Sequence, residues 1–500
     1  MSAVPGRMKM ERKNPQKKRK KMCPCVAVIG AGAAGLMAAV SAAAEGAHVL
    51  LFEHTAYIGK KLLLTGSGKC NFTNTEMSEA HYHGDPAFVR QVLSTFSAED
   101  AIAFFRARGI LPKVRRYGYD GGGYVYPLSQ EAAAVRYALL DECTACGVRF
   151  YTGCKIREIK ARKEAGEGKQ PHTEFVIRTE VEETFSADAV IFATGSNAFP
   201  KTGSDSSIYP VLRAFDVPFQ AFMPALTSMR CTGKAETEIL RAVKGVRCEA
   251  SVQLMEEEKN GARLLLGACR GEVQFNENSL SGIPIMQLSR YVPPRLKEGK
   301  KLVLVLDFLP ELGEMEKEAE RAAVRGEEKE IEIKEMQENA IEKGKVKERA
   351  RESFLREQLA AAAKRRAPLG HALCGLLPEK LAREVMLLCV EEASLLERIP
   401  QGADRSIAQD AHFLKRLQRS LCAMTFSVSG TGGFETAQCC SGGVDTAAID
   451  PVSMEYKMQK AIYFAGEIMD VDGDCGGYNL HWAWATGRLA GMHAAGFLNP

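Results

Sequence analysis

The chain has 500 residues, of which 46% are hydrophobic and 26% charged, and its formal net charge at pH 7 is +4. This length exceeds one ordinary hydrophobic core and predicts two or three domains of a globular protein. The net positive charge comes largely from the tail Arg7–Lys21, so the remaining body is near neutral or slightly acidic. A protein built to neutralise phosphates would carry a basic surface, and we therefore expect no nucleic-acid partner.

The 15 cysteines are odd in number and scattered along the chain. This distribution predicts reduced thiols in a cytoplasmic protein rather than a disulfide framework. Two close pairs, Cys23/Cys25 and Cys143/Cys146, lack a second ligand pair at zinc spacing. The sequence therefore predicts no metal site.

The stretch Val26–Glu53 has the pattern of a strand, a glycine turn, a helix and a second strand closed by an acid. A dinucleotide-binding βαβ unit needs this order. Gly30 allows the tight turn, Gly32 lets the backbone approach a pyrophosphate, and Gly35 lets helix and strand pack closely. The helix N-terminus attracts phosphate, and Glu53 can accept the hydroxyl hydrogens of an adenosine ribose. The stretch predicts a dinucleotide site.

The run Val26–Ala44, which follows the basic tail, also has features of a signal peptide or a weak membrane anchor. Three glycines interrupt this run and alanine dominates it, so its insertion into a membrane would be poor. The glycines also fall at the dinucleotide spacing, which an export signal does not require. We therefore expect no membrane partner.

The segment Gly59–Asn74 is rich in glycine, lysine and small polar side chains, and we predict a loop that grips phosphate or ring oxygens. Further along, the patterns predict helices at Pro86–Gly109 and Glu131–Cys146, paired strands at Cys154–Lys160 and Glu174–Arg178, and a buried strand at Ala187–Gly195.

From about Phe199, short alternating segments predict antiparallel β structure at Thr227–Cys231, Arg247–Met255, Arg263–Cys269, Glu272–Phe275, Leu302–Asp307, Phe426–Val428 and Gln438–Cys440. The intensely charged Glu311–Glu357 predicts a solvated helix or a partly disordered insertion. Helical patterns follow at Phe354–Ala363, Leu376–Cys389 and Asp410–Leu421.

The last sixty residues carry a second strong pattern. Ala461–Gly466 predicts a strand, Glu467–Asp474 an acidic turn, and Gly476–Asn479 the start of the helix Leu480–Ala495. Such a unit can complete the first sheet and bring a second helix dipole to the cofactor. Glu467 or Asp472 could then hold hydroxyl groups of the cofactor.

These blocks together resemble the BaiN-like, or aminoacetone oxidase, family of FAD-dependent flavoproteins. The motifs that carry the resemblance are VIGAGAAGLMAA (28–39), GKKLLLTGSGKCNFTN (59–74), GYVYP with Ser129 (123–129), ATG (193–195), GGV (442–444) and YFAGEIMDVDGDCGGYNLHWAWATGRLAG (463–491). The chain departs from the family pattern in several places: Ser196 replaces a glycine, the glycine-rich turn is only Gly203-Ser204-Asp205, Asn276-Glu277 replaces Thr-His, His481 replaces a glutamine, and the acidic insertion Glu311–Glu357 is longer than expected.

The resemblance implies an α/β fold, in which a discontinuous Rossmann-type FAD-binding domain carries an inserted β-barrel-like domain and a helical subdomain. The predicted ranges are a basic disordered tail at 1–22, the FAD-binding domain at 23–200 and 441–500, a β-rich substrate domain at 201–309 and 422–440, and a charged helical insert at 310–421. The motifs and the resemblance together predict FAD contacts from Gly30, Gly32, Ala33, Ala34, Gly35, Glu53, Lys61, Gly66, Ser67, Gly68, Cys70, Asn71, Ala193, Thr194, Gly195, Gly466, Glu467, Asp472, Gly476, Gly477, Tyr478 and Asn479.

The implied function is an FAD-dependent oxidoreductase that passes a hydride from NAD(P)H through the flavin to a conjugated or carbonyl-containing apolar small molecule, such as a bile-acid enone. No second dinucleotide motif follows a strand, so NAD(P)H would dock transiently. An oxygen-using amine or amino-ketone oxidase, an RNA-modifying flavoprotein and an FAD-bearing protein without turnover remain open alternatives. The sequence assigns no proton donor, because Cys70, Tyr478 and His481 suit structural roles at least as well.

Overall fold

The computed structural model describes residues 23–116, 123–164, 172–310, 350–390, 393–397 and 410–496. The predicted tail at 1–22 and the charged segment 311–349 lie outside these ranges. Helices span Ala33–Ala44 (the first helix), Pro86–Leu93, Ala98–Arg106, Ala132–Ala145, Tyr209–Arg213, Lys234–Ala242, Ile283–Leu288, Val292–Lys297, 350–364, Glu379–Leu387, Ala411–Cys422 and Tyr478–Gly496 (the last helix).

The described strands, numbered in chain order, are β1 (Cys25–Ile29), β2 (His48–Glu53), β3 (Thr73–Asn74), β4 (Tyr82–His83), β5 (Pro112–Arg116), β6 (Gly123–Pro127), β7 (Arg149–Thr152), β8 (Ile156–Glu164), β9 (His172–Thr179), β10 (Thr184–Ala187), β11 (Ala189–Phe192), β12 (Phe219–Ala225), β13 (Met229–Cys231), β14 (Arg247–Glu257), β15 (Arg263–Phe275), β16 (Ser279–Ser281), β17 (Lys301–Asp307), β18 (Met424–Thr431), β19 (Cys439–Val444), β20 (Ile462–Phe464) and β21 (Asp472–Gly473).

A parallel five-stranded sheet in the order β20-β11-β1-β2-β7 forms the centre of the fold. Its strands are mostly buried apolar runs, because the first and last helices and the antiparallel sheet β8-β9-β10 all pack against it. β20 comes from the far end of the chain and pairs with β11, so the two ends of the sequence share one sheet. The discontinuous Rossmann-type fold is thereby confirmed.

The first and last helices cross at unusually close range beside this sheet. A Cβ on Gly487 would lie 2.5 Å from the backbone oxygen of Ala34, and a Cβ on Gly491 would collide with the backbone oxygen of Ala38. Because glycine has no side chain at these two positions, the helix backbones can touch. This contact fixes the glycine turn before the first helix against the segment that leads into the last helix.

A second body is a closed barrel of strands in the order β13-β16-β15-β14-β17-β18. The helices 350–364, Glu379–Leu387 and Ala411–Cys422 share its hydrophobic core, as a helical subdomain would. Two predicted strands, Arg263–Cys269 and Glu272–Phe275, are in fact one long strand, β15, because the pairing with β14 continues through Arg270-Gly271. The inserted barrel-like fold and its helices are confirmed.

The helical segment predicted at Pro86–Gly109 consists of two helices, Pro86–Leu93 and Ala98–Arg106, and the second begins after Ser97. The Ser97 hydroxyl accepts a hydrogen bond from the backbone N–H of Asp100, whose carboxylate accepts one from the Ser97 N–H. This capping box starts a new helix and ends the previous one. Among the described residues, no helix is long and apolar enough to cross a membrane.

Candidate cofactor site

One cavity of about 630 Å³ runs from the glycine turn after β1 to the glycine pair before the last helix. Most of the predicted contact residues line it: Gly30, Gly32, Ala33, Ala34, Glu53, Lys61, Gly66, Ser67, Asn71, Ala193, Thr194, Gly195, Glu467, Gly476, Gly477 and Asn479. Six predicted residues lie outside its lining: Gly35, Gly68, Cys70, Gly466, Asp472 and Tyr478. The cavity has the size of a small-molecule cofactor site.

The glycines of the first turn have different tasks in the structure. A Cβ on Gly32 would meet no atom within 4 Å, because it would point into open cavity space. A Cβ on Gly35 would instead collide with the backbone oxygen of Gly30, and one on Gly30 would lie 2.5 Å from the backbone oxygen of Ala193. Gly32 therefore leaves room for a ligand, whereas Gly30 and Gly35 allow the backbone segments to pack.

Glu53 ends β2 beside this turn and is positioned by backbone N–H groups. Its carboxylate accepts hydrogen bonds from the N–H of Ala31 at 3.1 Å and of Thr55 at 2.8 Å. Each carboxylate oxygen has a second lone pair, so the acid can still accept hydroxyl hydrogens from a ligand. The site thus has the helix N-terminus and the acid that an adenosine diphosphate group requires.

The segment Gly59–Asn74 is more ordered than the predicted loop. It forms a short turn at Thr65–Gly68, in which Gly66 and Ser67 have φ values of 56° and 57°. It then continues into β3, which pairs with β6. The left-handed turn points its backbone along the cavity wall, where Gly66, Ser67 and Asn71 line the space.

Two buried polar atoms in the cavity lining have no hydrogen-bond partner among the described residues. They are Oδ1 of Asn71 and Oγ1 of Thr194. A buried polar group left unpaired costs free energy, so such atoms indicate a polar ligand that completes their hydrogen bonds. Together with the open space at Gly32, they fit a cofactor that carries a pyrophosphate and polar ring or chain atoms.

Glu467 joins three parts of the chain at the middle of the cavity. Its carboxylate accepts hydrogen bonds from Nζ of Lys61 at 2.7 Å, the hydroxyl of Ser196 at 2.6 Å and the N–H of Cys440 at 3.1 Å. The Ser196 hydroxyl makes a contact with Glu467 that a glycine at this position could not make. Glu467 is therefore fixed by protein groups as well as exposed to the cavity.

The far end of the cavity is closed by the glycine pair before the last helix. A Cβ on Gly477 would lie 2.5 Å from the backbone oxygen of Thr73, and one on Gly476 would lie 3.0 Å from the Tyr124 ring. The side chain of Asn479 bonds both the N–H and the carbonyl of Gly473, at 2.9 and 2.8 Å. These contacts fix the start of the last helix at the cavity, whose lining includes Gly476, Gly477 and Asn479.

The six residues outside the lining mostly support this geometry. A Cβ on Gly466 would lie 2.7 Å from that of Ala34. Cys70 is fully buried, and burial raises the pKa of its thiol to about 12, so it is a neutral packing group. Asp472 faces Arg290 at 3.2 Å rather than the cavity, and burial raises its pKa to about 7 although Arg290 lowers it. The predicted hydroxyl-binding role therefore fits the position of Glu467 better than that of Asp472.

His481 is buried behind the cavity and bridges two chain segments. One ring nitrogen lies 2.9 Å from the Thr73 hydroxyl and the other 2.9 Å from the carbonyl oxygen of Phe96. Because the Phe96 carbonyl can only accept, Nε2 carries the proton and Nδ1 accepts from Thr73. Burial lowers the pKa of His481 to about 4, so it is neutral near pH 7 and has a structural role.

Comparison with known proteins supports the cofactor assignment. Residues 24–493 match the model of the HI0933-like protein Rossmann domain. The chain is 33% identical to a 3-dehydro-bile acid delta(4,6)-reductase of Clostridium scindens, over 94% of this chain and 98% of that protein. It is 25% identical to a ribosomal RNA dihydrouridine synthase of Haemophilus influenzae, over 92% of this chain and 95% of that protein.

Among solved structures, the chain is similar to a 3-ketosteroid delta1-dehydrogenase from Sterolibacterium denitrificans, with 11% identity and a TM-score of 0.47. That match covers 94% of this chain and 99% of the other. The family match includes segments near both ends of the chain, and residues of these segments line the cavity together. The chain belongs to the HI0933-like family of FAD-binding Rossmann proteins and is an FAD-dependent oxidoreductase.

Proposed function

We propose that the protein reduces a carbon–carbon double bond conjugated to a carbonyl group in an apolar small molecule, with NAD(P)H as electron donor. The single observation that carries this proposal is the 33% identity to a bile-acid reductase over nearly the full length of both proteins. FAD, when bound, supplies hydride transfer between the donor and the double bond. The chain's own residues hold that cofactor and position the substrate.

Different parts of the cavity suit different parts of the FAD molecule. The glycine turn and Glu53 suit the adenosine diphosphate half of FAD. Lys61 lies in the middle, where its ammonium pairs with Glu467 and leaves other hydrogens for ligand oxygens. At the far end, the start of the last helix offers N–H groups, whose positive dipole end favours a ligand that gains negative charge on reduction.

The alternative, an amine or amino-ketone oxidase, would use the same cofactor to oxidise its substrate, with oxygen as the electron acceptor. An anaerobic experiment separates the two. The reductase account predicts that NADH or NADPH bleaches the flavin absorbance and that a 3-oxo-Δ4 steroid restores it, with a product two mass units heavier. Bleaching by an amine, with no recovery on adding the steroid, would favour the oxidase. A protein that cannot take up FAD would contradict both.

Reduction of a uridine base in RNA is the second candidate function. Its support is the similarity to a ribosomal RNA dihydrouridine synthase over 92% of this chain. The uracil ring also contains a double bond conjugated to a carbonyl, so the same hydride chemistry would apply. This candidate predicts mass gains of two units in ribosomal RNA incubated with the reduced protein, and unchanged RNA under conditions that support steroid reduction would count against it.

A further inference from the structure

A second, smaller cavity of about 340 Å³ adjoins the cofactor cavity. Tyr124, Asp474 and Cys475 line both cavities, so the two adjoin at these residues. The opposite wall comes from the barrel, at 267–269 of β15, and from Gln287 and Tyr291. We call this space the side cavity.

Two histidines and one aspartate form a linked group in the side cavity. The Asp474 carboxylate lies 3.3 Å from Nδ1 of His81 and 3.3 Å from Nε2 of His83. The three side chains are between 20% and 30% exposed, so protons can exchange with solvent through the cavity. The other nitrogen of each ring has no hydrogen bond to a residue in the described ranges, and it is free to meet a ligand.

Packing holds these rings in fixed orientations. The His81 ring stacks on Tyr478 with centroids 4.4 Å apart, and His83 meets Tyr291 edge to face at 6.4 Å. The N–H of Asp474 donates to the carbonyl oxygen of His81 at 2.9 Å. A carboxylate that bonds one nitrogen of an imidazole orients the ring and leaves the other nitrogen to face a bound molecule. Such an arrangement suits proton delivery to a bound molecule.

We propose that the side cavity binds the apolar, carbonyl-bearing substrate and that the His81–Asp474–His83 group delivers the proton its reduction requires. This inference rests on the proposed function. Saturating the double bond needs a hydride at the β-carbon and a proton at the α-carbon. The hydride brings the electron pair that NAD(P)H supplies through the cofactor. The N–H bond of a protonated histidine breaks as the α-carbon C–H bond forms, and solvent then reprotonates the neutral imidazole.

Isosteric variants separate proton delivery from structure. Asparagine can replace the Nδ1–H of His81, and glutamine the Nε2–H of His83, so H81N/H83Q keeps both hydrogen bonds to Asp474 without an exchangeable ring proton. The matched control is His412→Gln, an exposed histidine on the helix Ala411–Cys422. The holoprotein is reduced anaerobically with dithionite and mixed with a 3-oxo-Δ4 steroid, and the recovery of flavin absorbance is timed.

We expect H81N/H83Q to recover about 100-fold or more slowly than wild type, which is the range of general acid catalysis, and His412→Gln to match wild type. Equal rates in wild type and H81N/H83Q would overturn the inference and leave the proposed function standing. If the steroid does not reoxidise even the wild type, the proposed function fails and this inference fails with it.

A binding measurement tests the substrate position without turnover. Ala268 is exposed and lines the side cavity, so Ala268→Trp would fill the space, whereas Ala262→Trp places the same ring at an exposed site away from it. The saturated 3-oxo steroid is titrated into oxidised holoprotein, and its dissociation constant is read from the flavin spectrum. We expect at least a tenfold loss for Ala268→Trp alone. Unchanged binding would place the substrate elsewhere and overturn the inference.

Discussion

Gly32 and Gly35 stand in the same turn, yet the structure predicts that side chains at these positions fail in different ways. The space beside Gly32 is open, and its φ of −82° is one that any residue can adopt. The space beside Gly35 is filled by the backbone oxygen of Gly30. A side chain at position 32 should therefore displace the ligand, and a methyl group at position 35 should disturb the protein itself.

The expected magnitudes follow from these contacts. Gly32→Val blocks the approach of a pyrophosphate to the helix N-terminus, where each hydrogen bond to a charged group contributes about 1.5–3 kcal/mol. Losing two such bonds weakens FAD binding by about 3 kcal/mol or more, which is about 100-fold. Gly35→Ala forces apart two backbone segments that cannot rotate away, and overpacking of this kind costs about 1–3 kcal/mol of folding stability or more.

Two assays separate the effects. Titration of apoprotein with FAD should show weak binding for Gly32→Val, while its urea midpoint stays close to that of wild type. Gly35→Ala should lower the urea midpoint of the apoprotein. Gly430→Val is a matched control, because a Cβ there also meets no atom within 4 Å but lies on β18 of the barrel. Full FAD affinity in Gly32→Val, or wild-type stability in Gly35→Ala, would refute this reasoning.

Three further predictions concern single residues. Glu53→Ala should weaken FAD binding by about 1–3 kcal/mol through lost charge-assisted hydrogen bonds, and an unchanged dissociation constant would speak against the ribose position. The His481 pKa of about 4, against an ordinary 6.5, means that only the unfolded chain gains a proton as the pH falls through this window. Stability should therefore drop by up to about 3 kcal/mol between pH 6.5 and 4, and urea titrations of His481→Gln should show a smaller drop. Gly491→Val should destabilise the apoprotein by about 1–3 kcal/mol, because a side chain there separates the first and last helices. The control Gly496→Val has open space beside it and should not destabilise the protein. Equal urea midpoints for the two variants would show that this helix contact does not contribute to stability.

The sequence could predict the features that depend on residues close together in the chain. The turn Gly30–Gly35, the acid Glu53 and the glycine pair Gly476-Gly477 have fixed spacings to a strand or a helix, and the structure places all of these units in one place. The alternation of β14 and β17 likewise predicted strands of the barrel. The start of a second helix after Ser97 could also be predicted, because Ser97 and Asp100 have the spacing of a capping box.

The rest depends on contacts between distant residues, which leave no local pattern. The ion pair of Lys61 with Glu467 joins residues 406 positions apart, and the Asp474 bond to His81 spans 393. Gly487 and Gly491 are spaced like a close helix contact, but only the fold identifies the first helix as their partner. The predicted domain boundaries remain predictions, as does the direct contact of each lining residue with FAD.

A crystal structure of the FAD-loaded protein would show whether both ends of the chain enclose one cofactor. We expect the adenosine ribose at Glu53, the pyrophosphate at Gly32 and the flavin ring near Gly476–Asn479. A flavin bound away from either glycine turn would contradict this expectation.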